Sequence, residues 1–183
     1  MASFQVMARR FLPVLMAYAR VFWDDEDYET VKRQFEASAS FCLTNRTWRL
    51  NLAHVFFMLG DYGCSAEMYE ELLRNARASE LLSVPPIILA NLAVSYVSTG
   101  NTHKAEGLIH LIQQVRKLPR AVRICACEYH LTVMYLVLGT LYCSLKQWIV
   151  GLSLIKAAFH ICKETIDGDV WHYMKRCILS CIE

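Results

Sequence analysis

The chain has 183 residues, 55% of them hydrophobic and 20% charged, which is enough for one domain with a substantial apolar core and excludes a disordered tail. Its 19 Lys and Arg residues nearly balance 17 Asp and Glu residues, and no basic run predicts a nucleic-acid interface. The uncharged run 131–145, at 15 residues, falls short of the roughly 20 residues that a membrane-spanning helix needs.

Apolar periodicity predicts pairs of helices along the whole chain. In chain order, the predicted helices are 11–23, 28–42, 48–59, 62–76, 87–99, 102–115, 125–145, 148–162 and 170–182. Pro13 is expected to open the first helix, since proline suits a first helical turn. Gly60 is expected to end the third helix in a left-handed conformation. An acidic turn at 24–27 precedes the second helix, where the helix dipole favours negative charge.

A short pattern recurs four times: a small residue follows a bulky one, an aromatic residue comes three positions later, and a new helix opens six residues after that. The small residues are Ala19, Ala53, Ala93 and Gly139, at intervals of 34, 40 and 46 residues. A 34-residue period of paired helices is typical of the tetratricopeptide repeat. The sequence therefore predicts an all-α, right-handed superhelix of about four helix pairs plus a terminal helix, whose curved inner surface can bind another protein.

The predicted repeats form a single domain over 1–183, with approximate boundaries at 11–44, 45–84, 85–124 and 125–166 and a half repeat at 167–183. The two longer intervals place extra residues near 75–83 and 118–124. We expect these to be lengthened helix ends or loops between repeats.

The eight cysteines lie within apolar helical patterns, so we expect free thiols in a reducing compartment and no disulfide framework. Cys125, Cys127 and His130 have metal-ligand chemistry but leave a fourth ligand unnamed, and no metal or other cofactor is predicted. No phosphate loop, H-E-x-x-H motif or nucleophile elbow is present, so no catalytic residue is assigned. Arg9 and Arg10 before an apolar stretch leave a secretory signal as an alternative, but the apolar pattern continues in repeat register.

In repeats of this kind the first helix of each pair lines the concave face. The candidate partner-binding residues taken from that register are Leu50, Asn51, His54, Phe57, Asn91, Val94, Val97, Leu136 and Thr140. The first pair adds Met16, Arg20 and Trp23. Asn51 and Asn91 occupy the same register position, and each amide can either bond to the backbone of an extended peptide or bond to a neighbouring helix.

Particular stretches resemble the intraflagellar transport protein 70 family, also called the fleer-type tetratricopeptide repeat protein 30 family, in its carboxy-terminal part. The stretches that carry the resemblance are Pro13–Ala17, Phe41–Cys42, Asn51–Val55, Phe57–Met58, Ala90–Leu92, Val94–Tyr96, Gly139–Cys143, Trp171 with Tyr173, Lys175–Cys177 and Leu179–Ser180.

The resemblance implies a non-enzymatic scaffold of the intraflagellar transport complex B, needed for assembly of the cilium or flagellum. It also implies a location in the cilium, at its base and in the cytoplasm. Its partner would be another complex B subunit, held through an extended, proline-containing segment in the concave groove. An association with tubulin polyglutamylation is implied as an indirect consequence of transport.

Two other classes of binder remain as alternatives. A chaperone-type adaptor for peptide termini needs Lys, Arg and Asn on adjacent groove helices to hold a carboxylate. The corresponding positions here are mostly apolar: Leu50, His54, Ile87, Asn91 and Val133. A membrane-associated protein is the second alternative, and it depends only on the high hydrophobic content.

Overall fold

A computed structural model describes residues 2–74, 78–116 and 121–161, with side chains at 10–74, 80–114 and 127–161. All regular secondary structure in these ranges is α-helical, which confirms the all-α class. The helices are α1 (Ala2–Asp24), α2 (Tyr28–Cys42), α3 (Arg46–Met58), α4 (Tyr62–Leu73), α5 (Ala78–Leu81), α6 (Pro86–Ser98), α7 (Thr102–Arg116), α8 (Ala121–Ser144) and α9 (Trp148–Ile161). They belong to two compact units, Met1–Arg74 and Asn75–Glu183. The right-handed superhelical path and the single-domain organisation stay predictions.

The helix starts after each turn agree closely with the sequence prediction, but two features differ. Helix α1 begins at Ala2, so Pro13 lies inside the helix and does not open it. Pro13 is exposed, and water can therefore replace the hydrogen bond that its ring nitrogen cannot donate. The short helix α5 was not predicted. Helix α8 begins within the extra segment at 118–124, as a lengthened helix end, whereas the predicted helix 170–182 lies outside the described residues.

The same turn joins the two helices of all four pairs. In each turn, the carbonyl of the third-last residue of the first helix accepts a hydrogen bond from the backbone N–H five residues later. The residue directly before that donor adopts a left-handed conformation, and this arrangement is the Schellman motif. The left-handed residues are Glu26, Gly60, Gly100 and Lys146, with φ of 59°, 75°, 77° and 61°. The accepting carbonyls belong to Phe22, Phe56, Tyr96 and Tyr142, at donor–acceptor distances of 2.7–2.9 Å. These acceptors are the aromatic residues of the recurring pattern, so the pattern marks the end of each first helix.

Side-chain caps begin three of the helices. The carboxylate of Asp27 accepts the backbone N–H of Thr30, and that of Asp61 accepts the N–H of Cys64, each at 3.1 Å. Asn45 caps α3 in the same way. Each cap satisfies a backbone donor that has no partner within its helix, so the acidic turn at 24–27 is a helix start as predicted.

In the first unit, α1 packs against α2, α2 against α3 and α3 against α4. Its core consists of Leu15, Ala19, Val31, Phe35, Cys42, Trp48, Leu52 and Val55. The indole Nε1 of Trp48 donates to Ser38 Oγ at 2.9 Å, and Ser38 donates to the Phe35 carbonyl at 2.7 Å. This buried chain of hydrogen bonds fixes α3 against α2 and leaves no polar group of the pair unsatisfied.

In the second unit, α6 packs against α7 and α8, and α8 packs against α9. Every residue of α6 from Ile88 to Val97 is buried. Helices α8 and α9 meet at Gly139 and Gly151. A Cβ atom added to Gly151 would lie 2.7 Å from the Gly139 carbonyl oxygen and would contact Cys143 Sγ even more closely. Only residues without a side chain allow the helices to come this close.

The described cysteine side chains are Cys42, Cys64, Cys127 and Cys143, and none of these four forms a disulfide. Burial raises the pKa of the Cys42 thiol. The predicted free state of Cys125, Cys162, Cys177 and Cys181 concerns side chains outside the described residues. In the part of the chain that the structure describes, no helix has the length and apolar character needed to cross a membrane.

Candidate partner-binding pocket

A pocket of about 300 Å³ lies within the first unit, between α1 and α3. These are the first helices of the first two pairs, and α2 closes the pocket with the buried side chains of Val31 and Phe35. The full lining is Met16, Ala19, Arg20, Trp23, Val31, Phe35, Thr47, Asn51, His54 and Val55. A mainly apolar cavity with a few polar groups is the usual composition of a ligand site.

His54 is the polar residue most firmly fixed in this pocket. Its Nδ1 lies 2.5 Å from the hydroxyl of the fully buried Tyr69 on α4, and the two rings pack edge to face with centroids 5.5 Å apart. Burial lowers the pKa of His54 below its ordinary 6.5, so the ring is neutral at pH 7. In the tautomer protonated on Nε2, Nδ1 accepts the Tyr69 hydroxyl and Nε2 remains available as a donor.

Asn51 lies one turn before His54 and is half-buried. Its Nδ2 donates to the Thr47 carbonyl at 2.9 Å, so the amide bonds to its own helix and not to a neighbouring one. Its Oδ1 accepts no hydrogen bond from the residues that the structure describes. That oxygen can accept an N–H group from a bound peptide, while the exposed Thr47 side chain stands at the rim.

Charge contributes little to the pocket. Arg20 is the one permanently charged side chain in its described lining, and it is 72% exposed and paired with Asp24 on the same helix at 2.7 Å. Trp23 closes one end and packs edge to face on Tyr28, with ring centroids 5.0 Å apart. A ligand in this pocket therefore contacts mainly aromatic and aliphatic side chains and little charge.

The structure brings five of the sequence-predicted groove residues together in this pocket: Met16, Arg20, Trp23, Asn51 and His54. Leu50 and Phe57 are also on α3 and half-buried, but they do not line the pocket. Phe57 instead packs edge to face on Tyr62, with centroids 5.6 Å apart.

The other predicted groove residues belong to the second unit and lie mainly in its interior. Asn91, Val94 and Val97 on α6 are at most 9% exposed, and Leu136 on α8 is fully buried. Thr140 is half-buried and donates to the carbonyls of Leu136 and Val137 at 3.0 and 2.8 Å. Helices α6 and α8 contact each other directly, so the groove role of these residues stays a prediction.

The structure places the side chains of two residues of the group Cys125, Cys127 and His130, for which no metal was predicted. His130 is buried, and its Nε2 lies 2.7 Å from the Val84 carbonyl oxygen, a hydrogen bond across 46 positions. Cys127 is buried as well, whereas the side chain of Cys125 lies outside the described residues. This hydrogen bond connects helix α8 to the segment just before α6.

Sequence reasoning missed Tyr69 as part of the site. Tyr69 is fully buried on α4, which packs against α3. Its hydrogen bond to His54 depends on how α3 and α4 align across the Gly60 turn. Periodicity within one helix carries no signal for such a bond.

The chain is similar to known proteins over nearly its whole length. The family model described as "Intraflagellar transport protein 70 C-terminal domain" matches residues 1–183. A "Tetratricopeptide repeat protein 30 homolog" from Caenorhabditis elegans is 34% identical over 182 residues, which are 99% of this chain and 28% of the relative. A protein of the same description from Drosophila melanogaster is 38% identical over 172 residues, 93% of this chain and 26% of the relative.

"Intraflagellar transport protein 70A2" from Rattus norvegicus is 35% identical over 175 residues, 95% of this chain and 26% of the relative. The chain thus spans 26–28% of the length of these curated relatives. Both the family match and the full coverage of this chain agree with the recurring helix pairs of the structure. The chain belongs to the intraflagellar transport protein 70 family.

Proposed function

We propose that this chain is a non-enzymatic scaffold of the intraflagellar transport complex B and acts in the cilium or flagellum, at its base and in the cytoplasm. In this role it binds an extended segment of a neighbouring complex B subunit in the pocket between α1 and α3. Family membership supports the transport assignment. The pocket itself, open between the first helices of two adjacent pairs, is the observation that carries the binding role. Any effect on tubulin polyglutamylation would follow from transport.

The lining of the pocket fits an extended segment that contains apolar residues and proline. Met16, Trp23 and Phe35 offer apolar surface for side chains, and the Asn51 Oδ1 and His54 Nε2 offer one acceptor and one donor for the peptide backbone. A segment with proline has fewer N–H groups to satisfy, so two polar groups can serve it. Division between apolar walls and a few polar groups is usual in peptide grooves.

The same lining argues against an adaptor for acidic peptide termini. The carboxylate of such a ligand would lose its hydration in the pocket. It would gain little charge pairing in exchange, because Arg20 is already paired with Asp24. Binding to this pocket should therefore depend only weakly on salt, because exposed charge pairs are the interactions that salt screens.

The test measures the affinity of the purified full chain for recombinant complex B subunits by isothermal titration calorimetry. For the subunit that binds, Asn51→Ala should weaken affinity by roughly tenfold to hundredfold, as expected when a buried polar group loses its partner. Thr47→Trp should abolish binding by filling the pocket. Gln34→Ala, an amide replacement on α2 outside the lining, is the matched control and should bind like the unaltered chain.

Full affinity of a folded Thr47→Trp variant would contradict the pocket assignment. So would loss of binding on raising salt alone, because that result requires a charged interface. A terminal acidic peptide that binds as tightly as the internal segment would favour the chaperone-type adaptor instead.

A further inference from the structure

Helix α1 carries a second apolar surface in addition to the one that it buries in the core of the first unit. Phe11, Val14, Tyr18 and Val21 are 41%, 64%, 49% and 58% exposed. Their spacing of three, four and three residues is that of a coiled-coil seam, in which a and d positions line one side of a helix. We call these four residues the α1 seam. Its spacing favours another helix as the group that covers it.

The α1 seam is complementary to itself when two copies run antiparallel. A two-fold axis placed midway between residues 14 and 18 sets Phe11 opposite Val21 and Val14 opposite Tyr18. Each aromatic ring then faces a small β-branched side chain, and no two rings compete for the same space. An isologous two-fold contact needs this kind of match between a surface and its own copy.

Charge favours the same orientation. Arg10 flanks the amino-terminal end of the α1 seam, and Asp25 directly follows the helix at the other end, and both are exposed. The antiparallel arrangement brings Arg10 of each copy near Asp25 of the other, whereas a parallel arrangement would place like charges side by side. Opposite charges at the rim of an interface select orientation more than they add affinity.

The size of the seam indicates a weak association. With these exposed fractions, its side chains present roughly 400 Å² per copy, within the range of the largest apolar patches on soluble proteins. The pair would bury less than about 1,200 Å² in total, the lower end of specific interfaces. We therefore expect a dimer that forms in the micromolar range and dissociates on dilution.

We infer that the α1 seam is a docking surface for a second copy of this chain, paired antiparallel through Phe11, Val14, Tyr18 and Val21. The seam is distinct from the pocket between α1 and α3, whose α1 residues are Met16, Ala19, Arg20 and Trp23. Self-association and partner binding would thus use two sides of one helix.

Sedimentation equilibrium of the full chain between about 1 and 200 μM tests this inference. The average mass should rise above the 21.1 kDa monomer as concentration increases. Tyr18→Glu should keep the chain monomeric throughout. Ile149→Glu is the matched control, since Ile149 on α9 is even more exposed, at 88%, and its replacement should leave the dimer unchanged. Far-ultraviolet circular dichroism checks that each variant is folded.

Charge reversal then tests the orientation. Arg10→Glu and Asp25→Lys should each weaken the dimer by about tenfold, because both copies lose an attractive pair and gain a repulsive one. The double variant should recover the original affinity to within about twofold. A monomer at every concentration, equal loss from Ile149→Glu, or no recovery in the double variant would overturn the inference.

Discussion

At the scale of single residues, His54 connects the pocket to the stability of the first unit. Its ring is one wall of the pocket, and its Nδ1 pairs with the buried hydroxyl of Tyr69. Burial holds the ring neutral by lowering its pKa below 6.5. Protonation would place a charge in this partly buried site and remove the acceptor that Tyr69 uses, so the folded state resists it.

This pKa shift predicts a loss of stability in acid. The unfolded chain binds a proton at His54 near pH 6.5, while the folded chain does so only at lower pH. The contribution of neutral His54 is therefore fully present above pH 6.5 and is lost as pH falls through the lowered pKa of the folded state. Urea unfolding at several pH values between about 7.5 and 5 should show this decline.

The control for that experiment is His54→Phe, which keeps a ring in the pocket wall and cannot titrate. Its free energy of unfolding should fall less steeply between the same pH values, although it is lower at neutral pH because Tyr69 loses a partner. Identical pH profiles for the two proteins would show that His54 titrates alike in the folded and unfolded chain.

The sequence identified Asn51 and His54 because both lie on the inner side of an amphipathic first helix. It identified neither the bond from His54 to Tyr69 nor the burial of Asn91, although Asn91 has the same register position as Asn51. Register within a helix fixes the direction of a side chain. Whether that direction leads to an open pocket or to a packed neighbour depends on how closely the next helices approach.

At the scale of helices, the crossing of α8 and α9 depends on glycine at its centre. Gly151→Ala would bring a methyl group within 2.7 Å of the Gly139 carbonyl oxygen and 2.9 Å of the Cys143 backbone nitrogen. The helices would have to separate, at a cost of about 1–3 kcal/mol in the free energy of unfolding. Chemical denaturation should detect this loss directly.

Gly107→Ala is the matched control for that substitution. Gly107 is exposed within α7, and a Cβ atom there would meet no atom within 4 Å. Alanine should therefore raise stability by about 0.5–1 kcal/mol through its higher helix propensity. Equal effects of the two substitutions would contradict the close crossing of α8 and α9.

The four equivalent turns make a second prediction at this scale. Glycine occupies the left-handed position in two of them, at Gly60 and Gly100, whereas Glu26 and Lys146 hold it in the others. A side chain makes this conformation costly. Lys146→Gly should raise the free energy of unfolding by about 0.5–1 kcal/mol, and Gly60→Ala should lower it by about 1 kcal/mol. Thermal unfolding of the two variants should shift in opposite directions.

Helix existence and most boundaries could be predicted because the turns between paired helices have strong local signals. Tyr28, Tyr62, Thr102 and Trp148 begin helices where the sequence predicts them. Helix α5 has only four residues, too few for apolar periodicity to show. Pro13 misled the prediction for α1, because proline favours a first turn, whereas here it lies inside the helix, where one backbone hydrogen bond is lost.

At the scale of the whole molecule, the first helices of the pairs are buried to different degrees in the two units. In the first unit, α1 and α3 leave a pocket between them, whereas α6 of the second unit is buried along most of its length. We therefore propose the partner site in the first unit, Met1–Arg74.

Hydrogen–deuterium exchange of the full chain, measured with and without the complex B subunit proposed to bind it, tests the proposed site between α1 and α3. We expect slower exchange on binding in α1 around residues 16–23 and in α3 around residues 47–55, with little change in α9. The Thr47→Trp variant should show no protection under the same conditions. Protection confined to helices of the second unit, or protection that persists in the folded Thr47→Trp variant, would contradict a partner site between α1 and α3.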